Sequence, residues 1–223
     1  MKKRILSMLL VAAMAASLLL GCSSGTEESD GKGDDKKASK KDGGYTIGCT
    51  VYYMTEFVTL MTEGMEKKAE ELGCDLVMLD AQQDAQNQIT QIENLIAQKV
   101  DVIIVAAVDS DAILPAIEMC DDAGIPLVGV NMLFNTEEPY HYVGPDDVLA
   151  GELEMQNAID EIGGEGNVVI LEGPIGQSAQ IQRLEGNQNI LDKYEGKINV
   201  LADQTANWSR EEALTLVENW LET

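Results

Sequence analysis

Phe57, Asn131, Arg183 and Trp208 are the residues of this chain whose chemistry fits together. Planar groups such as Asn and Arg exchange several hydrogen bonds with hydroxyls, and aromatic rings cover an apolar C–H face. A neutral ligand bearing many hydroxyls needs both. Other chemistries find less support. The run Tyr52-Tyr53-Met54-Thr55-Glu56-Phe57 contains no glycine, whereas a phosphate cradle needs glycines so that the backbone can approach the anion, and Glu56 would repel it. His141 is the single histidine, and Ser178 lies in Gly176-Gln177-Ser178-Ala179, which lacks the nucleophile-elbow pattern. With no nucleophile–base pair, no catalytic residue is assigned. One histidine and no C-x-x-C pair make no zinc set, so neither metal nor cofactor is expected.

The elements that must position these residues follow from apolar periodicity. Short apolar runs at residues 47–51, 76–79, 102–105 and 127–130 read as buried strands. Between them, Phe57, Leu60, Met61, Gly64, Met65 and Leu72 recur at helical spacing, with Gly73 closing that helix. Ala85, Ile89, Ile92 and Ile96 mark a second helix; Ile113, Ala116, Ile117 and Cys120 mark a third, stopped at Gly124-Ile125-Pro126. Residues 140–143 read as a short linking strand, and a domain change is placed near Gly144-Pro145. A helix through Val148, Gly151, Met155, Ile159 and Ile162 follows, then a strand at 168–171 and a helix over 179–194. Last come a strand at 198–202 and a helix over 210–221 with Ala213, Val217, Trp220 and Leu221 inward. This alternation is a series of βαβ units, an α/β fold with parallel sheets. Ligands of open α/β sheets sit beyond the carboxyl ends of the strands. Phe57, Asn131 and Trp208 stand there, as do Asp80, Gln82, Asp109 and Ser110, the last four read as loop and helix-capping residues.

Composition restricts the partners. The formal net charge is −24 over 223 residues, and so acidic a surface repels nucleic-acid backbones and anionic lipid heads. Attachment to a membrane must therefore come from elsewhere. Lys2-Lys3-Arg4, an apolar run from Ile5 to Leu20 and Gly21-Cys22 describe an export signal. Leu19-Leu20-Gly21-Cys22 resembles the lipobox of bacterial lipoproteins, in which the cysteine becomes the lipidated first residue. Residues 1–21 are thus expected to be a lipoprotein signal peptide, and residues 22–44, polar and without periodicity, a flexible tether. Cys49, Cys74 and Cys120 lie among apolar neighbours and read as buried, inert thiols.

From Thr46 to Leu221 the chain resembles the type I periplasmic sugar-binding proteins, the ribose- and galactose-binding family of ABC importers. The likeness rests on Phe57-Val58, Leu79-Asp80-Ala81-Gln82, Val108-Asp109-Ser110-Asp111-Ala112 and Gly124-Ile125-Pro126-Leu127-Val128, in that order. Gly176-Gln177-Ser178-Ala179 with Arg183 and Gly186 follows, and then Ala206-Asn207-Trp208-Ser209-Arg210. The resemblance implies a two-lobed fold: an N-terminal α/β lobe over residues 45–144 and a partial second lobe over 145–223, each a parallel sheet flanked by helices. In the family the second lobe runs on past the position of Trp220, so this chain is expected to be C-terminally truncated, its second lobe incomplete. Phe57 and Trp208 would sandwich a sugar or polyol, Arg183 would fork onto its oxygens, and Asn131 would bind hydroxyls. Thr55 stands at the polar position before the first aromatic, and Met132 replaces the arginine of ribose-type members. The calcium loop of galactose-type members has no counterpart in Gly163-Gly164-Glu165-Gly166-Asn167. The implied role is that of an extracytoplasmic, lipid-anchored solute-binding protein that hands its ligand to an ABC permease. A sensor domain feeding a surface receptor and an exported α/β enzyme are the alternatives. Each site residue also has a structural alternative: Phe57 as a core anchor, Trp208 as a helix staple, Arg183 paired with a surface carboxylate, and Asn131 closing its strand as a turn residue.

Overall fold

The structure, a computed structural model, describes residues 44–222. The signal peptide at 1–21, the lipidation site Cys22 and all of the tether but Gly44 lie outside the described residues. Among the described residues seven strands and six helices follow in order, beginning with β1 (Thr46–Val51), α1 (Glu56–Leu72), β2 (Asp75–Asp80), α2 (Ala85–Gln98), β3 (Val102–Val105), α3 (Leu114–Ala123) and β4 (Leu127–Val130). Then come β5 (His141–Val143), α4 (Asp147–Glu161), β6 (Gly166–Glu172), α5 (Ser178–Leu191) with a 3-10 turn at Asp192–Tyr194, β7 (Ile198–Thr205) and α6 (Arg210–Glu222). The strands form one sheet in the order β2-β1-β3-β4-β5 and a second of β6 and β7, parallel throughout.

Local chemistry sets the helix limits. Thr55 accepts a hydrogen bond from the Val58 amide (3.1 Å) and starts α1, and Gly73, in the left-handed region at φ 67°, ends it. Asp84 caps α2 and Asp146 caps α4 in the same way. The main core, around Cys49, Val51, Val58, Ile92, Leu95, Ile103, Val105 and Ile113, lies under the first sheet. A smaller core of Met155, Ile159 and Ile190 lies beside the second. Here α4 and α5 approach closely through glycine: a Cβ on Gly151 would come within 2.2 Å of the Arg183 carbonyl oxygen, and one on Gly186 within 2.1 Å of that of Val148.

Three expectations need correction. Residues 141–143 do more than link: β5 is the fifth strand of the first sheet, with His141 opposite Val128. The fully buried residues of α1 are Val58, Thr62 and Ala69, with Met61 and Met65 packed against the core as expected, while Phe57, Leu60 and Leu72 are exposed. Periodicity gives the width of an apolar stripe but not which edge of it meets the sheet. On α6, Leu221 is exposed and no residue is fully buried, because a two-stranded sheet presents the helix only a narrow surface. Among the described cysteines no disulfide forms. Burial pushes the Cys49 thiol up to about 12 and, with help from Asp121, Cys120 to about 11; Cys74 is only half-buried.

Candidate functional site

Because all strands are parallel, their carboxyl ends gather the loops that follow them. Those loops enclose a cleft of about 780 Å³ lined from both sheets: Thr55, Phe57 and Asn131 from the first, and Arg183 and Trp208 from the second. All five residues singled out from sequence line it. Phe57 is 56% exposed, so its ring stands at the cleft rather than in the core. Asn131 occupies the left-handed region at φ 61° and its amide donates to the Val143 carbonyl, so it both closes β4 and lines the cleft. Trp208, at φ 56°, is a bulky residue in a conformation that costs of order 1–3 kcal/mol unless its surroundings impose it.

Those surroundings are visible. The Trp208 indole N–H donates to Oε1 of Gln177 at 2.6 Å. Its ring packs against Gly173, where a Cβ would come within 2.0 Å of it. The Arg183 guanidinium stands 5.9 Å from the ring centroid, at the outer range of a cation–π contact. Trp208 is thus held at the cleft wall by Gln177 and Gly173, directly ahead of α6. Arg183 does pair with a carboxylate, but a buried one: its Nε donates to Asp147 Oδ1 at 2.9 Å, with the arginine side chain 40% exposed and the aspartate 1%.

Several site residues escaped the sequence reading. Tyr52 is 3% exposed, its hydroxyl beside the side chains of Thr55 and Asn131. Burial pushes its phenol up to about 12, against the lowering effect of those two side chains. Asp147 follows the capping Asp146, and nothing in local spacing ties it to an arginine on another helix. Glu56 and Arg210 meet at 2.7 Å, 154 residues apart, joining the first turns of α1 and α6 beside the cleft. Glu172, also lining the cleft, accepts a hydrogen bond from Gln180. Asp109 does not cap α3, whose cap position is Ile113 with no side-chain bond; it accepts from the amides of Asp111 and Ala112 and braces the turn ahead of the helix. Nor does Ser110: its hydroxyl is buried without a partner, and its amide donates to the Gly176 carbonyl. Asp80 holds the Gln82 amide, a loop role as expected. Among the described residues no three of His, Cys, Asp or Glu gather to hold a metal, and no helix is long and apolar enough to cross a membrane.

A cleft between two parallel sheets, walled by aromatics and floored by amide, phenol and guanidinium groups, is built to hold a ligand and offers no reacting pair. Residues 47–223 match the model of the periplasmic binding protein domain. The chain belongs to this family. It is 44% identical over 175 residues to a xylitol-binding protein of Mycolicibacterium smegmatis, covering 78% of this chain and 50% of that one. It is 31% identical over 213 residues to the ribose import binding protein RbsB of Bacillus subtilis, covering 95% and 68%. An ABC transporter solute-binding protein from Bacillus halodurans, solved with bound myo-inositol, superposes with a TM-score of 0.76 at 34% identity, covering 81% and 64%. The chain therefore has the type I periplasmic-binding-protein fold and spans about half to two thirds of the length of these relatives. The family is one of solute-binding proteins, not of enzymes.

Proposed function

We propose that this chain is an extracytoplasmic solute-binding protein that holds a sugar or related polyol between two lobes, residues 45–144 and 145–223, for delivery to an ABC permease. The observation that carries the reading is the convergence of Thr55, Phe57, Asn131, Arg183 and Trp208 on one cleft. Phe57 and Trp208 cover the C–H faces of the ligand, and Asn131 and Arg183 bond its hydroxyls. Thr55, whose hydroxyl oxygen accepts the α1 capping bond, lines the cleft beside Tyr52 and offers its O–H to the ligand. The xylitol, ribose and myo-inositol named for the relatives share these features, an apolar face and several hydroxyls. Closure of the lobes about the ligand makes the form that a permease reads. Cys22 serves as the lipidated anchor.

Titration calorimetry of the full chain against xylitol, D-ribose, myo-inositol and other neutral polyols tests the reading. Saturable one-site binding of at least one is expected, and binding of none would refute it. In its native cell the protein should fractionate with the membrane and lose that attachment on Cys22→Ala; retention of the variant would remove the anchor from the proposal.

A further inference from the structure

Asp147 stands out because the fold does not need it where it is. Asp146 already caps α4, accepting from the Leu149 amide at 3.0 Å. Asp147, the first helical residue, turns a carboxylate into the interior, where an unpaired charge is costly. Its partner there is Nε of Arg183 at 2.9 Å. That contact engages Nε and leaves the donors of the two terminal amino groups for other partners, and Arg183 lines the cleft. The second arginine lining the cleft, Arg210, is likewise paired, meeting Glu56 at 2.7 Å. Glu172 adds a further negative charge. Both arginines lining the cleft thus have a carboxylate within hydrogen-bond distance.

We propose that Asp147 is a positioning residue that sets the ligand class: it fixes the Arg183 fork and cancels its charge, so that the cleft takes uncharged polyols and rejects their acids. The inference rests on the polyol-binding reading. A hydroxyl gains charge-assisted hydrogen bonds from the held guanidinium. A carboxylate or phosphate ester gains nothing further, because the compensating anion is already in place, and it meets the field of Glu172 as well. Discrimination then comes from what the site withholds from the wrong ligand.

The test compares xylitol with xylonate, D-ribose with D-ribonate, and myo-inositol with D-glucuronate, by calorimetry on the full chain. Wild-type protein should prefer the neutral member of whichever pair it binds. In Asp147→Asn the neutral ligand should weaken while its acid gains, narrowing the ratio by about tenfold or more, with the acid's affinity falling as salt rises. In an Arg183→Gln background the same change should leave the ratio unmoved. A merely structural role would lower the melting temperature and weaken both ligands alike. If Asp147→Asn does not fold, Asp147→Glu decides: it keeps the charge but displaces the fork, so neutral binding should weaken while acids stay excluded. An unchanged ratio in Asp147→Asn, or wild-type affinity in Asp147→Glu, overturns the inference alone. A wild-type chain that binds no neutral member overturns the polyol reading, and this inference with it.

Discussion

Trp208→Ala is the perturbation that probes the cleft most directly. In the proposed complex the indole covers one C–H face of the ligand. Burying about 80 Å² of apolar surface between ring and ligand contributes about 2 kcal/mol at ~25 cal/mol/Å². The loose contact with Arg183, 5.9 Å from the ring centroid, steadies the guanidinium and adds about 0.5–1 kcal/mol. Affinity should therefore fall by roughly 2–3 kcal/mol, about 30- to 150-fold. The lost hydrogen bond is a separate matter. Gln177 is buried with Nε2 already unpartnered, so removing the indole orphans Oε1 too and costs about 1–3 kcal/mol of stability. That cost falls on free and bound protein alike and should appear in thermal denaturation. Trp208→Phe, which keeps a ring but lacks the N–H, should recover most of the affinity and little of the stability. Trp220→Ala, on half-buried α6, should leave affinity within about threefold, as expected for a residue remote from the contact. The assay is calorimetry with the best neutral polyol, supported by ligand-induced change in tryptophan emission. If folded Trp208→Ala binds within about threefold of wild type, the stacking role is wrong.

Gly151→Ala should separate α4 from α5, since the new Cβ would meet the Arg183 carbonyl oxygen at 2.2 Å. A melting temperature lower by roughly 5–10 °C is expected from such overpacking, together with weaker ligand binding because Arg183 moves with α5. A variant matching wild type in both would refute the close packing. The Asp203 carboxyl is pushed up from its ordinary 3.8 to about 6 by burial and by the neighbouring Glu172. The folded chain thus holds more protons than the unfolded chain between those values, so stability declines as pH rises from about 4 to 6. Asp203→Asn should raise the melting temperature at pH 7, with the gain disappearing below about pH 4, as a melting series against pH would show; a gain independent of pH would exclude the carboxyl as its source.

The sequence by itself determined the alternation of strands and helices, because apolar periodicity and the stop at Gly73 are local in the chain. It also carried the cleft residues that have a distinctive type at a strand end, such as Asn131 and Trp208, since parallel strands bring those ends to one side. The exposed edge of α1, the pairing of the strand at His141–Val143 into the first sheet and the roles of Tyr52, Gln177 and Asp147 were not legible in it. Each depends on partners distant in sequence. Asp147 is an unremarkable acid at a helix start until α5 lays Arg183 across it, 36 residues on. Tyr52 is one tyrosine of a pair until Asn131 closes over its hydroxyl. Local rules specify which backbone a residue joins. Only the packing of one element on another decides which charges are buried, and against what, because the cost of burying a charge is set by the partner it meets.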